Sequence, residues 1–100
     1  MAISSSIQED GSNKLITVTE SFDATCYIDF KAAFEPVAGA ITYVVDMSGI
    51  KFMDSSGLGL LIMLREHAAR TDSTIVLKQP SPIALKNLEK SFFHEIFDIV

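Results

Sequence analysis

The sequence predicts a single α/β domain built on a mixed sheet of about five strands. Three observations carry this. Strand-like and helix-like segments alternate in the order β-β-α-β-α-β-α-β. The central run 41–45 is apolar except for Thr42, as a strand covered on both faces should be. Finally, 48% of the 100 residues are apolar against 21% charged, which suits one continuous core in a chain too short for two.

Each element has a local cause. Residues 3–7 form a weak first strand, diluted by Ser4, Ser5 and Ser6, and the polar turn 9–13 returns the chain into a better strand over 14–19. Tyr27, Phe30 and Phe34 recur at helical spacing within 24–35 and make one aromatic face; Asp23 or Thr25 can cap the start, and Pro36 marks the end. Asp46 ends the central strand, a loop covers 47–56, and a helix runs over 57–70. A short strand, 74–78, leads into Gln79-Pro80-Ser81-Pro82, where Ser81 suits an N-cap and Pro82 the first turn of a helix over 82–90. The last strand is 96–100. Parallel pairs in this order are joined by right-handed helical crossovers.

Charge and composition exclude several function classes. Eight Lys and Arg against thirteen Asp and Glu leave a net charge of −5, which repels nucleic-acid phosphates and suits a basic or protein partner. Cys26 is the single cysteine and has no partner for an internal disulfide. The first residues are not a basic segment followed by an apolar run. The longest apolar stretch, Leu58 and 60–64 around Gly59, falls short of the roughly 18–20 residues a membrane span needs. A soluble, cytoplasmic protein without membrane insertion is expected.

The stretch from Asp46 to Leu61 carries most of the chemistry. Asp54-Ser55-Ser56-Gly57 reads as a helix N-terminus, where short polar side chains accept bonds from unpaired amides and glycine allows a tight entry. Two hydroxyls exceed what one cap needs, so a structural cap and a chemical role both stand. Nucleophile motifs fail: Met53 or Asp54 stands where a Gly-x-Ser-x-Gly elbow needs glycine, and Ile62 replaces the third glycine of a dinucleotide loop begun by Gly57 and Gly59. No phosphate-cradling loop with its lysine is present. His67 and His94 lie at no metal-ligand spacing from each other or from Cys26, so no metal and no cofactor are expected. Asp46 and Asp54 could be imagined as acid and base, but closing a strand and capping a loop explain them more simply. No catalytic constellation survives, and the chain is not expected to be an enzyme.

The run Val44-Val45-Asp46-Met47-Ser48-Gly49-Ile50-Lys51-Phe52-Met53-Asp54-Ser55-Ser56-Gly57-Leu58-Gly59 resembles the signature of bacterial anti-sigma factor antagonists, which are single STAS domains. The similarity extends through Phe22-Asp23-Ala24-Thr25 and Ser81-Pro82-Ile83-Ala84-Leu85-Lys86-Asn87-Leu88, so it covers the whole chain, 1–100. It implies a phosphoacceptor at Ser55 in a loop completed by Asp54, Ser56 and Gly57. It implies a partner switch in transcription regulation: the unphosphorylated domain binds an anti-sigma factor, often itself a serine kinase, phosphorylation releases it, and a PP2C-type serine phosphatase resets it. Asp23, Thr25 and Met53 are then expected at the partner interface. The family's pattern turns Leu58, Leu61 and Ile62 toward the sheet and leaves Leu60, Met63, Leu64 and His67 as a docking patch. Small STAS domains also serve as accessory subunits of membrane lipid-transport ATPases, which is the alternative reading.

Three features depart from the pattern. Glu20 stands where the family usually has glycine before the first-helix motif, and the turn 70–73 lacks its frequent glycine. Many relatives continue into a fourth helix after the last strand. Phe92, Phe93 and Phe97 are therefore expected either to fill the end of the core or to favour weak self-association into a homodimer.

Overall fold

The computed structural model describes residues 3–7, 11–35 and 39–100. β1 (Ile3–Ile7) and β2 (Asn13–Phe22) form an antiparallel hairpin with Ser5 opposite Ile16. A 3₁₀ turn, Ala24–Cys26, leads into α1 (Tyr27–Phe34). Then follow β3 (Thr42–Met53), α2 (Ser55–Arg70), β4 (Thr74–Lys78), α3 (Pro82–Lys90), a second 3₁₀ turn, Phe93–Glu95, and β5 (Asp98–Ile99). The five strands lie in the order β1-β2-β3-β4-β5, antiparallel between β1 and β2 and parallel thereafter. This is the expected mixed α/β sheet with three helices. Glu9 and Asp10 of the expected turn, and Pro36 at the expected helix end, lie outside the described residues.

The core lies mainly on one face of the sheet. Ile16, Val45 and Leu77 align across three neighbouring strands and are fully buried. α1 and α2 cover this face: the rings of Phe22, Phe30, Phe34 and His67 follow one another at centroid spacings of 5.2, 5.7 and 5.1 Å, and His67 also meets Tyr43 at 6.2 Å. The opposite row, Leu15, Val44 and Val76, is only half-buried, so the apolar run 41–45 has full cover on one side rather than two. α3 packs against β3 through Ala84 and Leu88, and Ser81 caps it by accepting from the amide of Ala84.

Several boundaries differ from expectation, and α2 begins at Ser55 rather than at 57. Asp46 does not end the central strand, which continues to Met53 beside the equally extended second half of β2. Two irregularities, between Thr17 and Thr19 and between Glu20 and Ser21, each place an extra β3 residue opposite β2, so the buried positions shift phase from Met47 to Ile50 to Met53. Asp46 sits at the first of these. Its carboxylate accepts from the amide and hydroxyl of Ser48 at 3.0 and 2.8 Å, a turn-like pattern held inside a strand. The first helix is split into a 3₁₀ turn and eight α-helical residues, and Tyr27 is exposed rather than part of the buried aromatic face. The last strand shrinks to Asp98–Ile99 because the amides of Ile96 and Phe97 bond back to the Phe93 carbonyl, extending the preceding 3₁₀ turn. Of the three phenylalanines there, Phe97 is buried, Phe93 packs on it at 5.5 Å, and Phe92 is exposed.

Candidate functional site at the start of helix α2

The site is built where β3 hands over to α2. Met53 points into the core, and Asp54 takes an extended conformation that stops the strand and starts the helix. Its carboxylate accepts from the amides of Ser56 and Gly57 at 2.9 and 3.3 Å. The cap is therefore a carboxylate, and neither serine is needed for it. Ser55, the first helical residue, and Ser56 are both exposed, and neither hydroxyl makes a hydrogen bond among the described residues.

Gly57 fixes the position of this end. A Cβ there would lie 2.3 Å from the carbonyl oxygen of Phe22, so only glycine lets α2 rest on the end of β2. The same contact brings the next residues of the chain alongside. The 3₁₀ turn 24–26 packs on α2, and Asp23 caps that turn by accepting from the amide of Thr25 at 3.0 Å and from its hydroxyl. Asp54, Ser55, Ser56, Gly57, Asp23 and Thr25 thus share one end of the domain. Two exposed apolar side chains that sequence reasoning missed stand close to these residues along the chain: Ile28 in the first turn of α1, 77% exposed, and Phe52, two residues before Asp54 and 48% exposed. The second β3 irregularity turns Phe52 outward, a phase change that strand alternation alone does not reveal.

The expected docking patch is displaced. Leu60 and Leu64 are 5% and 0% exposed, and Met53 is 4% exposed, so these three belong to the core and offer no contact to a partner. The buried stripe of α2 runs through Gly57, Leu60, Leu61, Leu64 and Ala68, its phase set by the Gly57–Phe22 contact. Leu58 and Ile62, expected to face the sheet, are half-buried beside that stripe. His67 also turns inward between Phe34 and Tyr43, and its Nε2 is buried without a hydrogen-bond partner among the described residues. Of the four patch residues only Met63 keeps a half-exposed apolar side chain suited to docking.

Two further carboxylates of β2 and β3, Asp46 and Glu20, are committed elsewhere. The backbone N–H of Ser48 holds Asp46 below the ordinary carboxylate range; its partial burial opposes this, and the Ser48 hydroxyl and Lys78 reinforce it. Glu20 pairs with Lys51 at 3.4 Å, both well exposed. No group of three His, Cys, Asp or Glu among the described residues could hold a metal ion, and no helix among them is long and apolar enough to cross a membrane.

A family model described as "Mlab, STAS domain" matches residues 5–98. The chain belongs to the STAS domain family. A STAS-domain containing protein of Pseudomonas aeruginosa (strain UCBPP-PA14) is 39% identical over 102 residues, covering 99% of each chain. Among solved structures, the anti-sigma factor antagonist SpoIIAA in its unphosphorylated form matches with a TM-score of 0.74 at 19% identity, over 99% of this chain and 87% of that one; it shows the same fold. Two departures from the STAS pattern acquire a physical meaning here. Glu20 adopts a left-handed conformation, φ 62°, and Asp72 does the same in the turn after α2, φ 56°. The backbone keeps the shape that glycine favours, and a longer side chain carries the strain.

Proposed function

We propose that this STAS domain is a phosphorylation-controlled partner switch. Unphosphorylated, it binds an anti-sigma factor, which can itself be a serine kinase; a phosphate on Ser55 releases that partner, and a PP2C-type serine phosphatase restores binding. The observation that carries this reading is the division of labour at the α2 N-terminus: Asp54 makes the cap, and the Ser55 hydroxyl is exposed and uncommitted. A group so placed can be esterified without removing a structural bond. The added charge of about −1.5 to −2 stands beside Asp54 on the exposed surface, where an interface would have to desolvate it. A loss of about 2.7 kcal/mol weakens a complex roughly a hundredfold. This reading assigns the domain binding and no catalysis.

The test compares partner capture by the wild type, Ser55→Ala and Ser55→Asp, with the phosphate located by mass spectrometry after incubation with kinase and ATP. Ser55→Ala should bind constitutively and Ser55→Asp should not. Equal capture by both, or modification at another residue alone, rejects the switch.

A second reading, an accessory subunit of a membrane lipid-transport ATPase complex, is favoured by the exposed Ile28 and Phe52, which suit a permanent apolar contact. It requires stable co-purification with an ATPase subunit that Ser55→Asp leaves intact.

A further inference from the structure

The far end of α2 carries a second concave surface. A groove of about 560 Å³ opens between the last turns of α2, the start of β4 and the 3₁₀ turn that precedes β5. It lies ten residues beyond Ser55, about 15 Å along the helix at 1.5 Å per residue, and shares no lining residue with the Ser55 end.

Its chemistry is specific in two respects. The walls are mainly acidic: Glu66, Glu95 and Asp98 line it against one guanidinium, Arg65, and one imidazole, His94, and all five residues are exposed. The floor is apolar, formed by half-buried Ile75 and buried Phe97, with Ile96 exposed at the side. One wall is also an open sheet edge. β5 pairs only with Val76 and Leu77, so Thr74 and Ile75 have no strand beside them on that side among the described residues. Acidic walls, an apolar floor and a free strand edge suit an extended chain whose side chains alternate between the floor and the walls.

We propose that this groove is a docking site for an extended, basic segment of a partner protein, with aliphatic side chains between lysines or arginines. The commitment to a basic occupant rests on charge: three carboxylates against one guanidinium, on a chain of net charge −5. A second copy of this acidic chain would bring like charges together. The domain would then hold two partners at once, one at each end of α2.

The full chain, labelled with ¹⁵N, is titrated with a short synthetic peptide of alternating lysine and leucine, and in parallel with its glutamate–leucine counterpart. The lysine peptide should shift the amides of Ala69, Ile75 and Ile96 in a saturable way, and the glutamate peptide should not. Joint reversal by Glu95→Lys and Asp98→Lys should weaken binding at least about tenfold, and Ser55→Asp should leave it unchanged. Scattered shifts, equal response to both peptides, or affinity indifferent to the reversal overturns the proposal. Should the reversed variant fail to fold, Ile96→Ala serves in its place, with weaker binding expected and unchanged binding counting against the site. Concentration-dependent shifts at the same amides without peptide, with a dimer in sedimentation, would make the groove a self-interface and also overturn it.

Discussion

Replacing Asp54 by alanine separates the cap from the proposed switch. The wild-type carboxylate satisfies two first-turn amides, those of Ser56 and Gly57, at 2.9 and 3.3 Å. Loss of such a cap costs typically about 1 kcal/mol, within a range of about 0.5–2, and removal of a negative charge from the positive end of the helix adds about 0.3–1 kcal/mol. The two overlap, so a total of about 1–2 kcal/mol is expected, which lowers Tm by about 5–15 °C in a domain of this size. Asp54→Asn keeps an acceptor and should lose less than half as much. Ser55→Ala and Ser56→Ala remove hydroxyls that bond to nothing described, and alanine favours the helix, so each should stay within about 0.5 kcal/mol of wild type. Urea unfolding followed by circular dichroism measures all four. A Ser55→Ala cost equal to that of Asp54→Ala would show that the hydroxyl is the cap, and the case for a spare phosphoacceptor would collapse.

Gly57→Ala places a methyl group 2.3 Å from the Phe22 carbonyl, so α2 must move off β2; a loss of about 2–3 kcal/mol is expected in the same unfolding assay, and a near-neutral result would contradict the contact. Leu64→Ala should cost about 2–5 kcal/mol and Met63→Ala far less, reversing the ranking expected if Leu64 were an exposed docking residue. Glu20→Gly relieves a left-handed conformation and should raise stability by about 0.5–1 kcal/mol despite the loss of the exposed pair with Lys51; a fall in Tm would mean that the pair or the unfolded chain dominates. The folded state depresses the Asp46 carboxyl below its ordinary value of 3.8, so its stabilisation is present above about pH 4 and disappears as pH falls through the folded value. The stability difference between wild type and Asp46→Asn, a fraction of a kcal/mol at neutral pH, should therefore shrink on acidification, and a difference that grows instead would reverse the sign of the linkage.

The sheet and its helices were legible because local signals agreed with the tertiary outcome: Ser81-Pro82 starts α3, and apolar runs mark β3 and β4. The misread parts are those where a local signal served another purpose. Asp46 reads as a strand end, yet its carboxylate is satisfied within the bulge by Ser48, and the strand continues because β2 extends beside it. In α2 the leucine-rich segment has apolar residues around most of its circumference, so periodicity could not decide which stripe is buried. A backbone contact decided it, through the absence of a side chain at Gly57. The Asp54-Ser55-Ser56-Gly57 segment was recognisable as a helix start, but the assignment of the cap to Asp54 alone required hydrogen-bond geometry.

That assignment shapes how a phosphate on Ser55 would act. An anion at a helix start is usually absorbed by free amides, but those of Ser56 and Gly57 already answer to Asp54. The incoming charge would have to compete with a carboxylate for the same donors or remain directed outward. Competition would loosen the cap and reach the fold through the tight Gly57–Phe22 contact. The outward position leaves the core intact and places the full charge at the surface. The exposed Ser55 hydroxyl, free of any described bond, favours the outward position. Under the proposed switch, phosphorylation should then change partner affinity strongly and Tm by less than the Asp54→Ala cap deletion does. A phosphorylated domain that melts as low as Asp54→Ala would place the transmission in the cap and not in the surface charge.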